Sequence, residues 1–222
     1  MTRALRRGTV QGQSAPCPCK NRVQPTGEIL AHPARGRFMG NRGILHNAGQ
    51  GLSHRRWRHK AWVCCLLSFK SRRRPLMAPG AYTELFFHDE AVALAAGHRP
   101  CGECRRADFT AFLDAAGHTG PVSAFDTRLH AARAIPRRFA QHRVEADAAS
   151  LPDGTFILTG TGPALLWQGA LHPFAPDGYG APRPHPSGRV TCLTPAPTLT
   201  ALRAGYRPSV ALPLPLAENI LG

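Results

Sequence analysis

Lysine is nearly absent from this chain. Of its 28 basic residues only Lys20, Lys60 and Lys70 are lysine. A bias toward Arg, Ala, Gly and Pro is what GC-rich coding produces, so the arginines are not all read as selection for guanidinium chemistry. Acid is scarce at one end. Residues 1–75 carry 16 Lys/Arg against the single acid Glu28, whereas the other 147 residues carry 12 of each sign. The whole formal charge of +15 therefore sits in the first third. No apolar run reaches the length that spans a bilayer, and no membrane partner is expected. Phosphate-cradling P-loops, GxSxG elbows, HExxH helices and internal repeats are all missing, which removes the commonest signatures of nucleotide hydrolases, serine hydrolases and zincins.

What is present is enough for a packed protein. Hydrophobic residues make up 43% of 222, which suffices for one large domain or two small ones. Gly 22 and Pro 21 imply many turns and few long helices. Cysteines stand at 17, 19, 64, 65, 101, 104 and 192, an odd count of seven. Without a secretory signal that count argues against a disulfide framework, and favours metal ligands or free thiols in a reducing cytoplasm. A basic block beside a metal knuckle suggests a polyanionic partner, DNA or RNA.

Along the chain, residues 1–20 read as a disordered basic leader in which Cys17-Pro18-Cys19 suits zinc poorly. Two short strands are expected within 21–46, with Gly40 and Gly43 marking a bulge or turn. Residues 47–60 form a basic loop in which Arg55, Arg56, Arg58 and Lys60 surround Trp57, a mixture suited to phosphate contact and base stacking. Trp57 serves equally well as a core anchor with arginines snorkelling around it. Residues 61–69 read as a buried strand whose period of two turns Cys64 and Cys65 to opposite faces. At most one of the two should then be a ligand. Lys70, Arg72, Arg73 and Arg74 follow as a basic turn. Residues 82–87 read as an aromatic strand, Asp89 as the cap of a helix to Ala96, and Gly97 as its stop. A helix is expected over 103–116, its first turn aiming Arg105 and Arg106 at phosphates, and another over 126–134 capped by Asp126. From Leu151, short apolar runs at 155–158, 164–167, 170–174 and 189–193 alternate with Gly turns as an antiparallel meander. A last helix runs to Ala204, and residues 212–222 form a tail.

The organising motif is Pro100-Cys101-Gly102-Glu103-Cys104. Two cysteines three apart can face one metal ion, with Pro100 fixing the entry and Gly102 the tight backbone. Phe86, Phe87, Glu90, Ala91, Leu94, Ala95, Ala96, Gly97, Arg99, Pro100, Cys101 and Cys104 together resemble the second half of the zinc-binding domain of the Ada DNA-repair family, with His98 where the family has an aromatic. The likeness covers roughly residues 64–108, about a fifth of the chain. It implies a zinc site, DNA contact, a role in alkylation repair or its regulation, and a cysteine that accepts a methyl group stoichiometrically from a DNA phosphotriester. Cys65, or else Cys64, would stand in that place. The family's earlier cysteine pair is incomplete here. Four residues beyond Cys64 and Cys65 lie Ser68 and Phe69.

The expected metal ligands are Cys101, Cys104 and Cys65, with His46 or Cys64 as the fourth, since zinc accepts mixed Cys₃His sets. His88 and His98 are further candidates. The expected fold is α+β: a knuckle-bearing unit over 21–145 followed by a β-rich part over 146–211. Two other readings stay open. One is a zinc-stapled structural domain that binds another protein, and the other is a hydrolase built on His46, Asp126 and His130.

Overall fold

The computed structural model describes residues 18–212 except 48, 50 and 72–74. The basic leader up to residue 17, Arg72, Arg73 and Arg74, and the tail from 213 lie outside the described residues. The first sheet is built from strands β1 (Lys20–Val23), β2 (Ile29–Ala31), β3 (Phe38–Asn41), β4 (Val63–Leu66) and β5 (Leu85–Phe87), with β6 (Arg99–Pro100) at its edge. Their order in space is β2-β1-β5-β3-β4-β6. β3 runs antiparallel to both β4 and β5, while β4 and β6 are parallel. Strands β3, β4 and β5 alternate as a sheet with one dry face requires. Phe38, Leu85, Phe87 and Cys64 point inward. Gly40 faces Cys64 across the ladder, and a Cβ there would lie 2.1 Å from the Val63 carbonyl oxygen. The close approach of β3 to β4 therefore requires glycine.

Helix α1 (Glu90–Ala95) follows β5, and every one of its residues is buried. Asp89 caps it as its side chain suggested, Oδ1 accepting from the Val92 N–H at 3.0 Å. A helix this rich in alanine lets neighbours close in from all sides. Gly97 ends it at φ +79°, where a Cβ would meet the Arg133 Cδ at 2.2 Å. Beyond β6 come α2 (Arg106–Ala115) and α3 (Val122–Arg133). They pack through Phe112, Phe125 and Leu129. The start of α3 departs from expectation. Pro121 occupies the cap position, and Asp126 lies a turn inside on the buried face, held by Arg99. A partner from another element outweighed a local cap.

A small hairpin, β7 (Ala134–Ile135) and β8 (Ala140–Gln141), leads to β9 (Val144–Asp147). The second sheet then adds β10 (Thr155–Thr159), β11 (Gly162–Trp167), β12 (Ala170–Ala175), β13 (Gly178–Tyr179), β14 (Arg183–Pro184) and β15 (Arg189–Cys192). Its path is β13-β12-β11-β10-β15-β9, with β14 on β12. This is the expected meander, closed by helix α4 (Ala196–Arg203). The protein is α+β, and one core crosses the boundary between the two expected regions. Val23, Phe38, Phe87 and α1 share a cluster with Phe156, Leu165, Phe174 and Leu193.

Two buried carboxylates lock that junction. Asp89 accepts from the Tyr179 hydroxyl at 2.8 Å and the Ala211 N–H at 2.9 Å. Glu90 accepts from the Tyr206 hydroxyl at 2.6 Å and the Ser209 N–H at 2.9 Å. Burial nonetheless raises the Asp89 pKa above the usual carboxylate value. Among the described residues no helix is long and apolar enough to cross a membrane.

Candidate metal centre

The parallel ladder of β4 with β6 sets the site. Cys64 pairs with Pro100, and the Cys101 N–H donates to the Cys64 carbonyl at 2.9 Å. Cys101 is thereby delivered beside Cys65, 36 residues earlier in the chain. The turn closes where the Arg105 N–H donates to the Cys101 carbonyl at 3.0 Å, which brings Cys104 back to the same point. The sulfurs of Cys65, Cys101 and Cys104 all lie within 4.8 Å of one another, each half-buried. Thiolates arranged tetrahedrally around zinc sit roughly 3.8 Å apart, given a Zn–S bond of about 2.3 Å, so a small contraction would complete the geometry.

Backbone amides face the sulfurs. The Glu103 N–H donates to Cys101 Sγ and the Leu66 N–H to Cys104 Sγ, both at 3.4 Å. A hydrogen bond from the Cys65 thiol, then the amides of Cys104 and Glu103, hold Cys101 as a thiolate with its pKa lowered to about 5. The same bond, with burial, pushes the Cys65 pKa up, and burial pushes Cys104 up. The cluster is thus three sulfurs faced by backbone amides, a group that could hold a metal ion.

The other two expected ligands stand apart. Cys64 occupies the opposite face of β4, fully buried, where its sulfur accepts from Arg105 Nη1 at 3.5 Å and burial raises its pKa. The period of two separates the adjacent cysteines as expected. His46 is held elsewhere, Nδ1 on the Thr83 hydroxyl at 2.7 Å and Nε2 near the Ala78 carbonyl at 3.3 Å. His98 fills the aromatic place assigned to it, 4.6 Å from the Phe87 ring and 5.4 Å from Trp62. His88 packs on Phe174 and Tyr179. Among the described residues no fourth His, Cys, Asp or Glu joins the three sulfurs.

The basic residues divide. Arg55, Arg58, Lys60, Lys70 and Arg106 are exposed. Arg56 is half-buried, donating to the carbonyls of Ser53 at 2.9 Å and His54 at 3.0 Å. Trp57 lies among rings, 5.4 Å from Trp62 and 5.0 Å from Phe139. Arg105 is a correction. It is buried, its Nη2 is 2.8 Å from Glu90 and 2.9 Å from Asp108, and its guanidinium lies over Phe38. It serves the interior, because as the cap residue before α2 it turns toward Glu90 while Arg106 turns out.

The hydrolase reading loses its geometry. Asp126 makes a two-pronged pair with Arg99 at 2.7 and 2.8 Å. His130 instead packs edge-on against Trp57 and Trp62, and burial pulls its pKa down to about 4. With His46 held by Thr83, no proton relay links these three. No motif marks Arg42 or Arg133, yet both are buried around Trp62, at 4.2 and 3.7 Å from its ring. Comparison of the chain with protein-family models, curated proteins and solved structures finds no match.

Proposed function

We propose that the protein binds zinc through Cys65, Cys101 and Cys104 and contacts nucleic acid through its basic first third. The observation that carries the metal half is the convergence of three sulfurs within 4.8 Å. An all-thiolate set suits zinc among the common divalent ions. Bound zinc would keep all three sulfurs deprotonated at neutral pH. The nucleic-acid half is supported by the exposed Arg55, Arg58, Lys60 and Arg106, and by a charge of +15 gathered at one end.

The likeness to the Ada family extends the reading to repair. Cys65 is the member of its pair that reaches the cluster, so it is the sulfur that would accept a methyl group. In that step the S–C bond forms as the methyl C–O bond breaks, and the phosphotriester leaves as a phosphodiester anion.

Metal content tests the first half. Wild-type protein is expected to carry about one zinc per chain. Cys65→Ser and Cys101→Ser lose it, while Cys64→Ser and His46→Ala keep it. Loading weakens as pH falls, because the raised Cys65 and Cys104 thiols must release protons to the solvent. A folded wild type with no zinc overturns the proposal. For the second half, affinity for DNA should fall linearly on a log–log salt plot, with a slope of about −0.9 per phosphate contacted. Absence of any salt-dependent binding leaves the protein-binding alternative standing.

A further inference from the structure

A second site lies at the opposite end of β4, where Trp62 precedes the strand. A cavity of about 390 Å³ opens there between the β1–β2 turn, the 54–57 loop and the β7–β8 hairpin. Its size falls in the range of small-molecule sites, roughly 300–1,000 Å³. Trp57, Trp62 and Phe139 supply flat apolar walls, and Arg42, Arg56, Arg138 and Arg143 supply four cations. Glu28 is the one acid in the lining, exposed at the mouth, where it accepts from Thr26 Oγ1 at 3.4 Å.

The charge beneath the cavity is not answered from within. Arg42 is 1% exposed, and its bonds run to the Gly27 carbonyl, the Ala96 carbonyl and His98 Nε2, all neutral acceptors. Burial and the nearby Arg56 pull its pKa down to about 9. Arg133 does not line the cavity but lies 3.7 Å from the Trp62 ring, and it leaves Nε and Nη1 without a partner. The acid nearest in effect, Asp126, is already paired with Arg99. Burying a guanidinium without a counter-charge is costly, so a cavity lined by Arg42, with Arg133 against the Trp62 ring that walls it, attracts an anion.

At the hairpin lip Arg137 and Phe139 both adopt left-handed backbone, at φ +65° and +50°. Arg138 stands exposed between them. Gln141 also lines the cavity, its Nε2 donating to the Ala95 carbonyl at 3.4 Å and its Oε1 packed against Gly27. Cationic walls call for phosphate and ring walls for a planar base.

We infer that this cavity binds one nucleotide, its base against Trp57 and Phe139 and its phosphate on Arg56, Arg138 and Arg143 above Arg42. The inference deepens the nucleic-acid reading proposed above and rests on it. The nucleotide comes either from a single strand lying over the basic loop or from a free mononucleotide.

The test is titration of the full-length protein with AMP, with inorganic phosphate, with a short single-stranded oligonucleotide and with duplex DNA, followed by quenching of tryptophan emission. AMP is expected to saturate, and phosphate alone to compete weakly. Phe139→Ala should weaken AMP about tenfold through lost stacking. Arg138→Ala should weaken it several-fold and flatten its salt dependence. Arg138 is exposed and its guanidinium bonds no described residue, so that variant keeps the wild-type fold. Tighter binding of the oligonucleotide than of AMP, with the same losses in both variants, identifies a strand as the source. Equal binding identifies the free nucleotide. If DNA binds with wild-type strength to both variants and AMP does not bind, the cavity inference falls and the nucleic-acid reading survives. If AMP binds but no polymer does, the reading falls and the cavity stands. Failure of both overturns both.

Discussion

The buried arginines form two groups that are built differently. In one, Arg99 meets Asp126 through two short bonds, and Arg105 lies between Glu90 and Asp108. In the other, Arg42 and Arg133 enclose Trp62 with carbonyls and a neutral histidine as their only partners among the described residues. The first group neutralises itself and holds elements together. The second has no carboxylate partner of its own, and Arg42 borders a cavity. A buried charge supplied with its counter-ion is architecture. One left without it creates demand for an anion.

Breaking a pair in the neutralised group should have the largest effect. Asp126→Asn leaves Arg99 charged and buried, and is expected to cost about 3–5 kcal/mol in urea unfolding. A loss below about 1 kcal/mol would mean that the two groups do not differ. Removing the unpaired charge should do the reverse. Arg42→Met takes away a cation that nothing answers, and is expected to be neutral or to stabilise by about 1–2 kcal/mol while abolishing anion binding at the cavity. The same measurement on Arg99→Met sharpens the contrast, because it strands Asp126 and destabilises. The smallest effect belongs to Arg207, whose contact with Asp153 spans 3.4 Å at the surface, its side chain 70% exposed. Arg207→Ala should shift stability by less than about 0.5 kcal/mol.

Neither arginine group can be told from the other along the chain. Arg105 and Arg106 are neighbours in sequence, and both look like phosphate contacts on a first helical turn. The non-helical cap conformation of Arg105 sends it to Glu90, and Arg106, the first residue of α2, faces water. Arg42 sits in a glycine-rich stretch that reads as a turn, and its burial under Gly27 and Ala96 depends on strands that sequence spacing does not bring together. Asp126 resembles a helix cap until Arg99 is placed opposite it. In each case the deciding partner lies 15 or more residues away. The short-range readings fared otherwise. Asp89 caps α1, Gly97 ends it, and the strands of the meander fall close to where the apolar runs lie.

By itself the sequence determined an α+β protein, a Cys-x-x-Cys turn between a buried helix and an amphipathic one, and the opposite facing of Cys64 and Cys65. These follow from local rules: two-residue alternation in strands, capping at helix ends, the tightness of a Pro-Cys-Gly turn. Only the tertiary structure decided that Cys65 completes the sulfur cluster while His46 does not, that Arg105 is internal, and that Arg42 and Arg133 share Trp62 beneath an open cavity. Those outcomes depend on which strands pair and on how burial weighs charge against charge, and both are set by residues far apart along the chain.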